Sequence, residues 1–404
     1  MTEQLSQRAQ LNASVRIDDD FCGRCTVCSS ICPFDAIAAN AETSEVKLDI
    51  EKCQVCGLCS SACPASAIET IYYNDGPLLN YIDKMMQENS SDKLVLTCQG
   101  SGPSQETIEN ALQKTRLNGF VPVILPCVGR VPPELLLKAL GMGIKNIIVM
   151  PCEDDYCRFK NGSIIAERRL LLVRATLNQL GFEPDALTVF KHSIKAHIDS
   201  SRCIGCGNCS YTCPYDAITM GTQKVAELNP QACSGCGACA AVCPSLAVGL
   251  DGFDHESISQ TIRGYGPLIP KIRMKTKKPA ILVLSCQWSE FSDFDPGRKH
   301  VLDNAVLMGL PCAGRVDDLH VLEAFYSGFD GVLIGACNKN ECKLEKGNER
   351  AEQRLESLKR LLAEVNLGGR LQVSFVSPRN PEDLNDQIRL FTDEVRLLLT
   401  KEAV

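Results

Sequence analysis

The sequence predicts a tandem repeat in which a small, cysteine-rich α+β domain is followed by a small α/β domain with a parallel sheet, both present twice. Three observations predict this fold class. The spacing C-x2-C-x2-C-x3-C-P occurs four times, and the segments after each pair of copies alternate between strand and helix patterns. All 24 cysteines also recur at a nearly constant offset, which indicates a duplication.

The four copies of the cysteine motif begin at Cys22, Cys53, Cys203 and Cys233. This spacing is typical of two-cluster ferredoxins, in which three thiolates of a copy bind one 4Fe-4S cluster and the fourth, before a proline, binds the partner cluster. The cysteine-rich domains are therefore predicted to be two-cluster ferredoxin-like domains. The predicted ligand sets are Cys22, Cys25, Cys28 and Cys63; Cys53, Cys56, Cys59 and Cys32; Cys203, Cys206, Cys209 and Cys243; and Cys233, Cys236, Cys239 and Cys213.

Zinc and disulfides are the other common uses of so many cysteines. Zinc sites also use C-x2-C pairs, but they pair two such units across a longer gap and need no C-x3-C-P tail. Disulfide-rich scaffolds are short and secreted, whereas residues 1–20 are polar and contain no apolar signal segment. The sequence therefore predicts reduced thiols in a cytoplasmic protein.

The duplication includes the cysteines outside the ferredoxin motifs. Cys203 follows Cys22 by 181 positions, and Cys312 follows Cys127 by 185. Cysteines kept in register in this way are expected to be ligands, because cysteines that only pack would drift to valine or alanine. The predicted domains are residues 14–76 and 196–252 for the ferredoxins and residues 92–195 and 279–402 for the α/β domains.

The elements of each domain follow from local patterns. Between Cys32 and Cys53 the sequence predicts two short strands around a polar turn. Helices are expected after Pro132-Pro133 and Asp317-Asp318, which are typical start signals. The α/β domains are predicted to have apolar strands directly before cysteines, at residues 94–97, 121–125 and 146–150 and again at residues 281–285, 306–310 and 331–336.

The remaining eight cysteines form one quartet in each α/β domain. Because ligands bind at the carboxyl ends of parallel strands, three cysteines at strand ends are expected to converge, and a C-x4-C loop adds the fourth. By spacing alone such a quartet can bind iron, bind zinc, or act as a structural or redox-sensing thiol group. The predicted quartets are Cys98, Cys127, Cys152 and Cys157, and Cys286, Cys312, Cys337 and Cys342.

The α/β segments contain PCVGRV at residues 126–131 and PCAGRV at residues 311–316, each followed by C-x4-C and a basic helix pattern. These segments resemble the delta, iron–sulfur subunit of methyl-viologen-reducing hydrogenase. The resemblance implies a 2Fe-2S cluster in each quartet, and so four 4Fe-4S and two 2Fe-2S clusters in the chain. Members of that family often have Cys-x-Trp-Cys at the first strand end, where this chain has Cys98-Gln99-Gly100-Ser101 and Cys286-Gln287-Trp288-Ser289.

The resemblance also implies a function and partners. The expected function is that of a non-catalytic subunit that relays single electrons in a large, heterodisulfide reductase-like complex able to bifurcate electrons, in an anaerobe. Its expected partners are a hydrogenase, formate dehydrogenase, NADH dehydrogenase-like protein or ferredoxin, together with an FAD-containing heterodisulfide reductase-like subunit. The alternatives are a relay subunit of a class II benzoyl-CoA reductase complex, and a structural or redox-sensing protein whose quartets bind zinc or form disulfides.

Arg130 and Arg315 directly follow the two proline-cysteine turns and are predicted to be cofactor-binding residues. A permanent cation beside a cluster stabilises its reduced, more negative state. The alternative is an arginine in an ordinary surface ion pair. The five histidines, which are His192, His197, His255, His300 and His320, lie in unrelated sequence contexts and are expected to be surface or packing residues.

Several function classes are not supported by the sequence. The net charge is −7, which argues against nucleic-acid binding, and the basic residues 271–278 are predicted to form a solvated linker, with docking to an acidic partner as the alternative. No apolar run has the roughly 18 residues that a membrane helix needs. No G-x-G-x-x-G, P-loop or G-x-S-x-G motif is present, so flavin, nicotinamide and hydrolytic chemistry are not indicated.

Overall fold

A computed structural model describes residues 15–70, 72–101, 119–291, 295, 302–380 and 382–402. Residues 1–14, which are most of the polar amino-terminal segment, and His300 are outside the described residues. The chain divides into two compact units, each with one ferredoxin and one α/β domain. The first comprises residues 1–193, 295–298 and 378–380, and the second comprises residues 194–294, 299–377 and 381–404.

The ferredoxin domain of the first unit has two antiparallel strand pairs and two short helices. Strand β1 pairs with β4, and β2 pairs with β3 across the predicted polar turn. Its core is small and combines aliphatic side chains such as Val15 and Ile37 with the cysteines Cys28 and Cys59. The elements are β1 (Val15–Ile17), α1 (Val27–Ile31), β2 (Ile37–Ala39), β3 (Val46–Leu48), α2 (Leu58–Ala62) and β4 (Ile68–Thr70).

The α/β domain of the first unit has a four-stranded parallel sheet in the order β6-β5-β7-β8. The central strands β5 and β7 are buried almost throughout, as expected for a parallel sheet covered by helices. The elements are α3 (Asp75–Glu88), β5 (Lys93–Cys98), β6 (Val121–Leu125), α4 (Pro133–Gly141), β7 (Asn146–Met150), α5 (Gly162–Gln179) and β8 (Leu187–Val189).

The ferredoxin domain of the second unit repeats the first. Strand β9 pairs with β12, and β10 pairs with β11, both antiparallel. The elements are β9 (Ala196–Ile198), α6 (Asn208–Thr212), β10 (Ile218–Met220), β11 (Ala226–Leu228), α7 (Ala238–Ala241) and β12 (Val248–Leu250).

The second α/β domain has a parallel sheet in the order β14-β13-β15-β16. Its core joins Ile281 and Leu333 of the central strands to Phe391 and Val395 of the last helix. The elements are α8 (His255–Gly264), α9 (Ile269–Thr276), β13 (Ile281–Cys286), β14 (Ala305–Leu310), α10 (Asp318–Tyr326), β15 (Gly331–Cys337), α11 (Gly347–Ala363), β16 (Leu371–Val376) and α12 (Asp383–Glu402).

The predicted fold class is confirmed, and so are the six predicted apolar strands and the helices after Pro132-Pro133 and Asp317-Asp318. The edge strands β8 and β16 were not predicted, since neither lies directly before a cysteine. Residues 271–278 are largely exposed, as predicted, but most of them belong to helix α9 and not to an irregular linker. Arg273 of this helix pairs with Asp330 at 2.7 Å, and the left-handed backbone of Lys277 caps the helix after Thr276.

Candidate metal centres

The first ferredoxin domain brings Cys32 to the cysteines of the second motif. Cys32 lines a small cavity together with Cys53, Cys56 and Cys59. Burial, reinforced by the neighbouring thiolates, raises the pKa of Cys59, and burial raises the pKa of Cys56 to about 12. Four thiols around one largely buried cavity are costly to ionise unless a cation neutralises them, so this donor set fits a metal cluster.

The other predicted set of this domain lies nearer the surface. Cys25 is exposed and Cys22 is half-buried, and both are close enough to Cys28 to add to the effect of burial in raising its pKa. Cys22 and Cys63 pack against the same small core as Cys28.

The second ferredoxin domain shows the crossed arrangement for both sets. Burial raises the pKa of Cys209, with smaller contributions from Cys243 and Cys206. A second small cavity is lined by Cys213, Cys233, Cys236 and Cys239. The three cysteines that begin the second motif are buried here, whereas Cys206 of the first motif is exposed.

The quartet of the first α/β domain also converges. Burial works to raise the pKa of Cys98, but hydrogen bonds from the thiols of Cys127 and Cys152 outweigh it and hold that pKa well below its usual value. Cys157, the fourth member, adds a smaller repulsion that raises the pKa of Cys127 and of Cys152. The N–H of Val128 donates to Cys98 Sγ at 3.2 Å, the kind of contact that stabilises a thiolate ligand.

The quartet of the second α/β domain has the same arrangement. Cys286 Sγ lies 3.6 Å from Cys337 Sγ, which is far longer than a disulfide bond of roughly 2.05 Å. Hydrogen bonds from Cys312 and Cys337 lower the pKa of Cys342 to about 2. The strands and the C-x4-C loop thus place four sulfur donors at one sheet edge in each unit, a donor set that suits a 2Fe-2S cluster or zinc.

Serine occupies the position where the resemblance described above leads us to expect a further cysteine. Ser101 Oγ donates to Met150 O at 2.7 Å and accepts from Cys98 N–H at 3.0 Å. Ser289 Oγ donates to Cys286 O at 2.8 Å. Both hydroxyls are therefore used to hold the backbone of the strand end, and four cysteines remain per quartet.

Arg130 and Arg315 are buried, so the alternative of a surface ion pair was wrong for both. Arg130 donates to Thr70 Oγ1 at 2.8 Å and to Tyr72 O, and it packs so closely on Gly57 that a Cβ there would lie 3.0 Å from Arg130 Cζ. Arg315 packs on Gly237 in the same way and donates to Phe253 O at 2.9 Å. Each arginine thus lies between the buried ferredoxin motif and the quartet of its unit.

Two further arginines hold the quartet turns and were not singled out in the sequence. Arg169 of α5 donates to Gly129 O at 2.6 Å and also contacts Ser61 of the ferredoxin helix α2. Arg354 of α11 occupies the corresponding place and donates to Gly314 O at 3.1 Å and to Val316 O. The basic character of the helix after each C-x4-C loop was the available signal.

Two of the histidines that were expected to be surface or packing residues meet in the structure, although they lie in unrelated sequence contexts. His255 and His320 stack with ring centroids 4.9 Å apart, and both contact Asp317. His320 and Asp317 belong to the same helix cap, but His255 comes from another helix, and no sequence spacing could have revealed that contact.

The chain matches the family described as methyl-viologen-reducing hydrogenase, delta subunit, over residues 95–205 and 281–398, together more than half of its length. It also matches 4Fe-4S dicluster domains over residues 14–64 and 196–249. The ferredoxin domains and the converging cysteines define an iron–sulfur protein with an electron-transfer role. The chain belongs to the methyl-viologen-reducing hydrogenase delta subunit family.

Individual relatives agree with this assignment. Over 204 residues the chain is 33% identical to one subunit of the ferredoxin:CoB-CoM heterodisulfide reductase of Methanosarcina mazei, a match that covers 50% of this chain and 25% of that protein. Over 90 residues it is 36% identical to the iron–sulfur subunit of the vhu F420-non-reducing hydrogenase of Methanococcus maripaludis, which covers 22% of this chain and 67% of that protein. The chain therefore spans only a quarter of the longer relative.

Among the described residues, no helix has both the length and the apolar character needed to cross a membrane.

Proposed function

We propose that each unit is a three-centre electron relay with an exposed 4Fe-4S cluster, a buried 4Fe-4S cluster and a 2Fe-2S cluster in the quartet. The ligands would be the 24 cysteines in the sets predicted above, within the predicted domain boundaries. The clusters would supply reversible one-electron chemistry, and the chain's own residues would hold them, order them and set their potentials.

The observation that carries this proposal is the packing between the buried ferredoxin motif and the quartet. In the first unit a Cβ on Gly129 would lie 2.7 Å from Leu58 Cδ2, so the quartet turn rests directly on the ferredoxin helix α2. Arg130 is close enough to both Cys56 and Cys127 for each thiolate to raise its pKa, although burial is the larger effect and lowers it. One layer of side chains therefore separates the two cysteine sites.

Exposure supports an order within each relay. We call the sets that contain Cys25 and Cys206 the outer sets, and those that contain Cys56 and Cys236 the inner sets. Cys25 and Cys206 are exposed, whereas most cysteines of the inner sets are buried. In each quartet three cysteines are buried, and only Cys157 or Cys342 is half-buried. Electrons would therefore enter or leave at the outer ferredoxin cluster and reach the quartet through the inner cluster, against which the quartet turn packs.

The partners proposed for this relay follow from the relatives. One relative is named as part of a heterodisulfide reductase, and another is named as part of a hydrogenase. We infer that the chain passes electrons between a hydrogenase-like, dehydrogenase-like or ferredoxin donor and an FAD-containing subunit of a heterodisulfide reductase-like complex, where bifurcation would occur at the flavin and not on this chain.

The test is the content of iron, acid-labile sulfide and zinc in anaerobically purified chain, with EPR of the reduced protein. Six clusters require about 20 iron atoms per chain. About 16 iron atoms with about two zinc would leave the ferredoxins and make the quartets structural sites. Cys127→Ser and Cys312→Ser should each remove about two iron atoms, whereas Ser101→Ala should remove none, because its hydroxyl bonds to backbone groups and to Thr97 Oγ1 and is not a predicted ligand.

A further inference from the structure

Three titratable side chains from two helices meet in the second unit. His255 begins α8, and Asp317 and His320 are the N-cap and the third residue of α10. His255 Nδ1 lies 3.1 Å from Asp317 Oδ2. His320 and Asp317 are buried, but the His255 side chain retains 20% exposure. The group, which we call the histidine cluster, therefore has one member that can exchange protons with solvent.

Arg315 connects the histidine cluster to the inner ferredoxin centre of the second unit, which is the cavity lined by Cys213, Cys233, Cys236 and Cys239. Its Nη1 lies 3.3 Å from Asp317 Oδ2. Its side chain packs on Gly237, which lies between Cys236 and Cys239, so closely that a Cβ on Gly237 would be 2.6 Å from Arg315 Cδ. Charge at the centre and charge on Asp317 thus act on one buried guanidinium, and such interactions are weakly screened.

The charged groups around the cluster leave His255 as the proton acceptor. His320 stays neutral, because burial lowers its pKa to about 3 and its Nδ1 accepts a hydrogen bond from Asp317 N–H. His255 has the Asp317 carboxylate on one side and solvent on the other. The charged or titratable groups that face this region from the neighbouring elements are Asp254, His197, which lies 3.3 Å from Asp254 Oδ1, Arg315, Asp318 and Arg354.

We propose that the histidine cluster takes up a proton when the centre of Cys233, Cys236, Cys239 and Cys213 is reduced. The proposal rests on a 4Fe-4S cluster at that centre and is independent of the metal in the quartet. A one-electron donor adds one electron to the centre, and one proton moves from solvent to His255 Nε2, where it forms an N–H bond. Reoxidation passes the electron to the acceptor and returns the proton to solvent.

Two imidazoles and a carboxylate could also bind a divalent cation, and their ligand atoms lie within 4.8 Å of one another. The same oxygen of Asp317 already contacts both Arg315 and His255. The buried guanidinium of Arg315 would therefore repel a divalent ion more strongly than a proton, which carries half the charge. For this reason we infer that the histidine cluster binds a proton and not a metal ion.

The first unit provides an internal control. By the register of the repeat, the positions of His255, Asp317 and His320 correspond to Asp75, Pro132 and Leu135. The first unit therefore has a buried arginine beside its inner ferredoxin centre but no imidazole at the corresponding positions.

The experiment is an EPR-monitored redox titration of the full, cluster-loaded chain at several pH values around neutrality, with iron and sulfide measured on each sample. The potential of one 4Fe-4S centre should rise as the pH falls, because its reduced state binds the proton. One proton per electron corresponds to a tenfold change in equilibrium constant, or about 59 mV, per pH unit. The inner centre of the first unit should show no such slope.

His255→Gln should abolish the slope with unchanged iron content, and the control His197→Gln, an exposed histidine of the same unit, should keep it. Asp317→Asn, which keeps an effective helix cap, should shift the sloping range to lower pH. The proposal is overturned if the slope persists in His255→Gln, if His197→Gln also removes it, or if the chain binds zinc that His255→Gln releases. If the unaltered chain contains too little iron for its predicted clusters, the proposed function fails. The iron assay detects that failure independently of the slope.

Discussion

Glycine at the first position of α5 and of α11 lets the helix approach the quartet sulfurs. A Cβ on Gly162 would lie 2.7 Å from Cys127 Sγ and 3.3 Å from Cys157 Sγ. A Cβ on Gly347 would lie 2.1 Å from Cys312 Sγ. Neither glycine has a positive φ, so the requirement is for space at the sulfurs and not for an unusual backbone.

Gly162→Ala and Gly347→Ala are therefore each expected to displace one quartet while leaving the ferredoxins loaded. Each should lose about two iron atoms per chain and the 2Fe-2S EPR signal of its own unit. The matched controls are Gly141→Ala and Gly264→Ala, which also lie in helices but have nothing within 4 Å of the added Cβ. Full iron content in Gly347→Ala would contradict the requirement for space beside the Cys312 sulfur.

At the scale of elements, the helix after each C-x4-C loop clamps the quartet turn. Its first glycine packs on the sulfurs, and an arginine two turns later donates to the carbonyl groups of the turn. In the first unit Arg169 also reaches Ser61 of α2, so a single side chain ties the quartet turn to the ferredoxin helix.

Arg169→Met keeps the apolar stem of the side chain and removes these hydrogen bonds. Because hydrogen bonds from charged donors contribute about 1.5–3 kcal/mol each, we expect the first quartet to bleach at a lower temperature than in the unaltered chain. Thermal loss of cluster absorbance measures the change. Arg168→Met, an exposed neighbour on the same helix, is the control and should leave the bleaching temperature unchanged.

At the scale of the whole molecule, the two units are unequal despite the duplication. Arg315 forms an ion pair with Asp317, but among the described residues no carboxylate lies within ion-pair distance of Arg130, whose Nη1 is buried without a hydrogen bond. The charges of Asp75 and Asp295 act on Arg130 from a longer range. The positive field at the inner centre is therefore expected to be stronger in the first unit.

Arg130→Gln should consequently lower the potential of its neighbouring 4Fe-4S centre, since loss of a buried cation destabilises the reduced state. Arg315→Gln should lower the potential of its own centre by a smaller amount, because Asp317 already offsets part of that charge. Redox titration of both variants at one pH, at equal iron content, measures the difference. An equal or larger shift in Arg315→Gln would show that the ion pair does not attenuate the field.

Local spacing was sufficient for much of the fold and for the grouping of the cysteines. Apolar runs before Cys127 and Cys152 predicted strands with the observed bounds. For β7, before Cys152, the physical reason is that a central parallel strand is buried on both faces and is therefore apolar. The edge strand β8 has only three residues and a partly exposed pattern, so the same criterion could not find it. The basic pattern of residues 271–278 did not indicate helix α9, and it could not show the contact of Arg273 with Asp330, which is distant in the sequence.

The sequence by itself determined the repeat, the family and which cysteines converge, since ligand spacing and strand ends are local properties of the chain. Only the tertiary structure decided that Arg130 and Arg315 are buried beside the inner centres, and that His255 meets Asp317 and His320. Burial and contacts between distant helices depend on how complete domains pack, and no short segment of sequence contains that information.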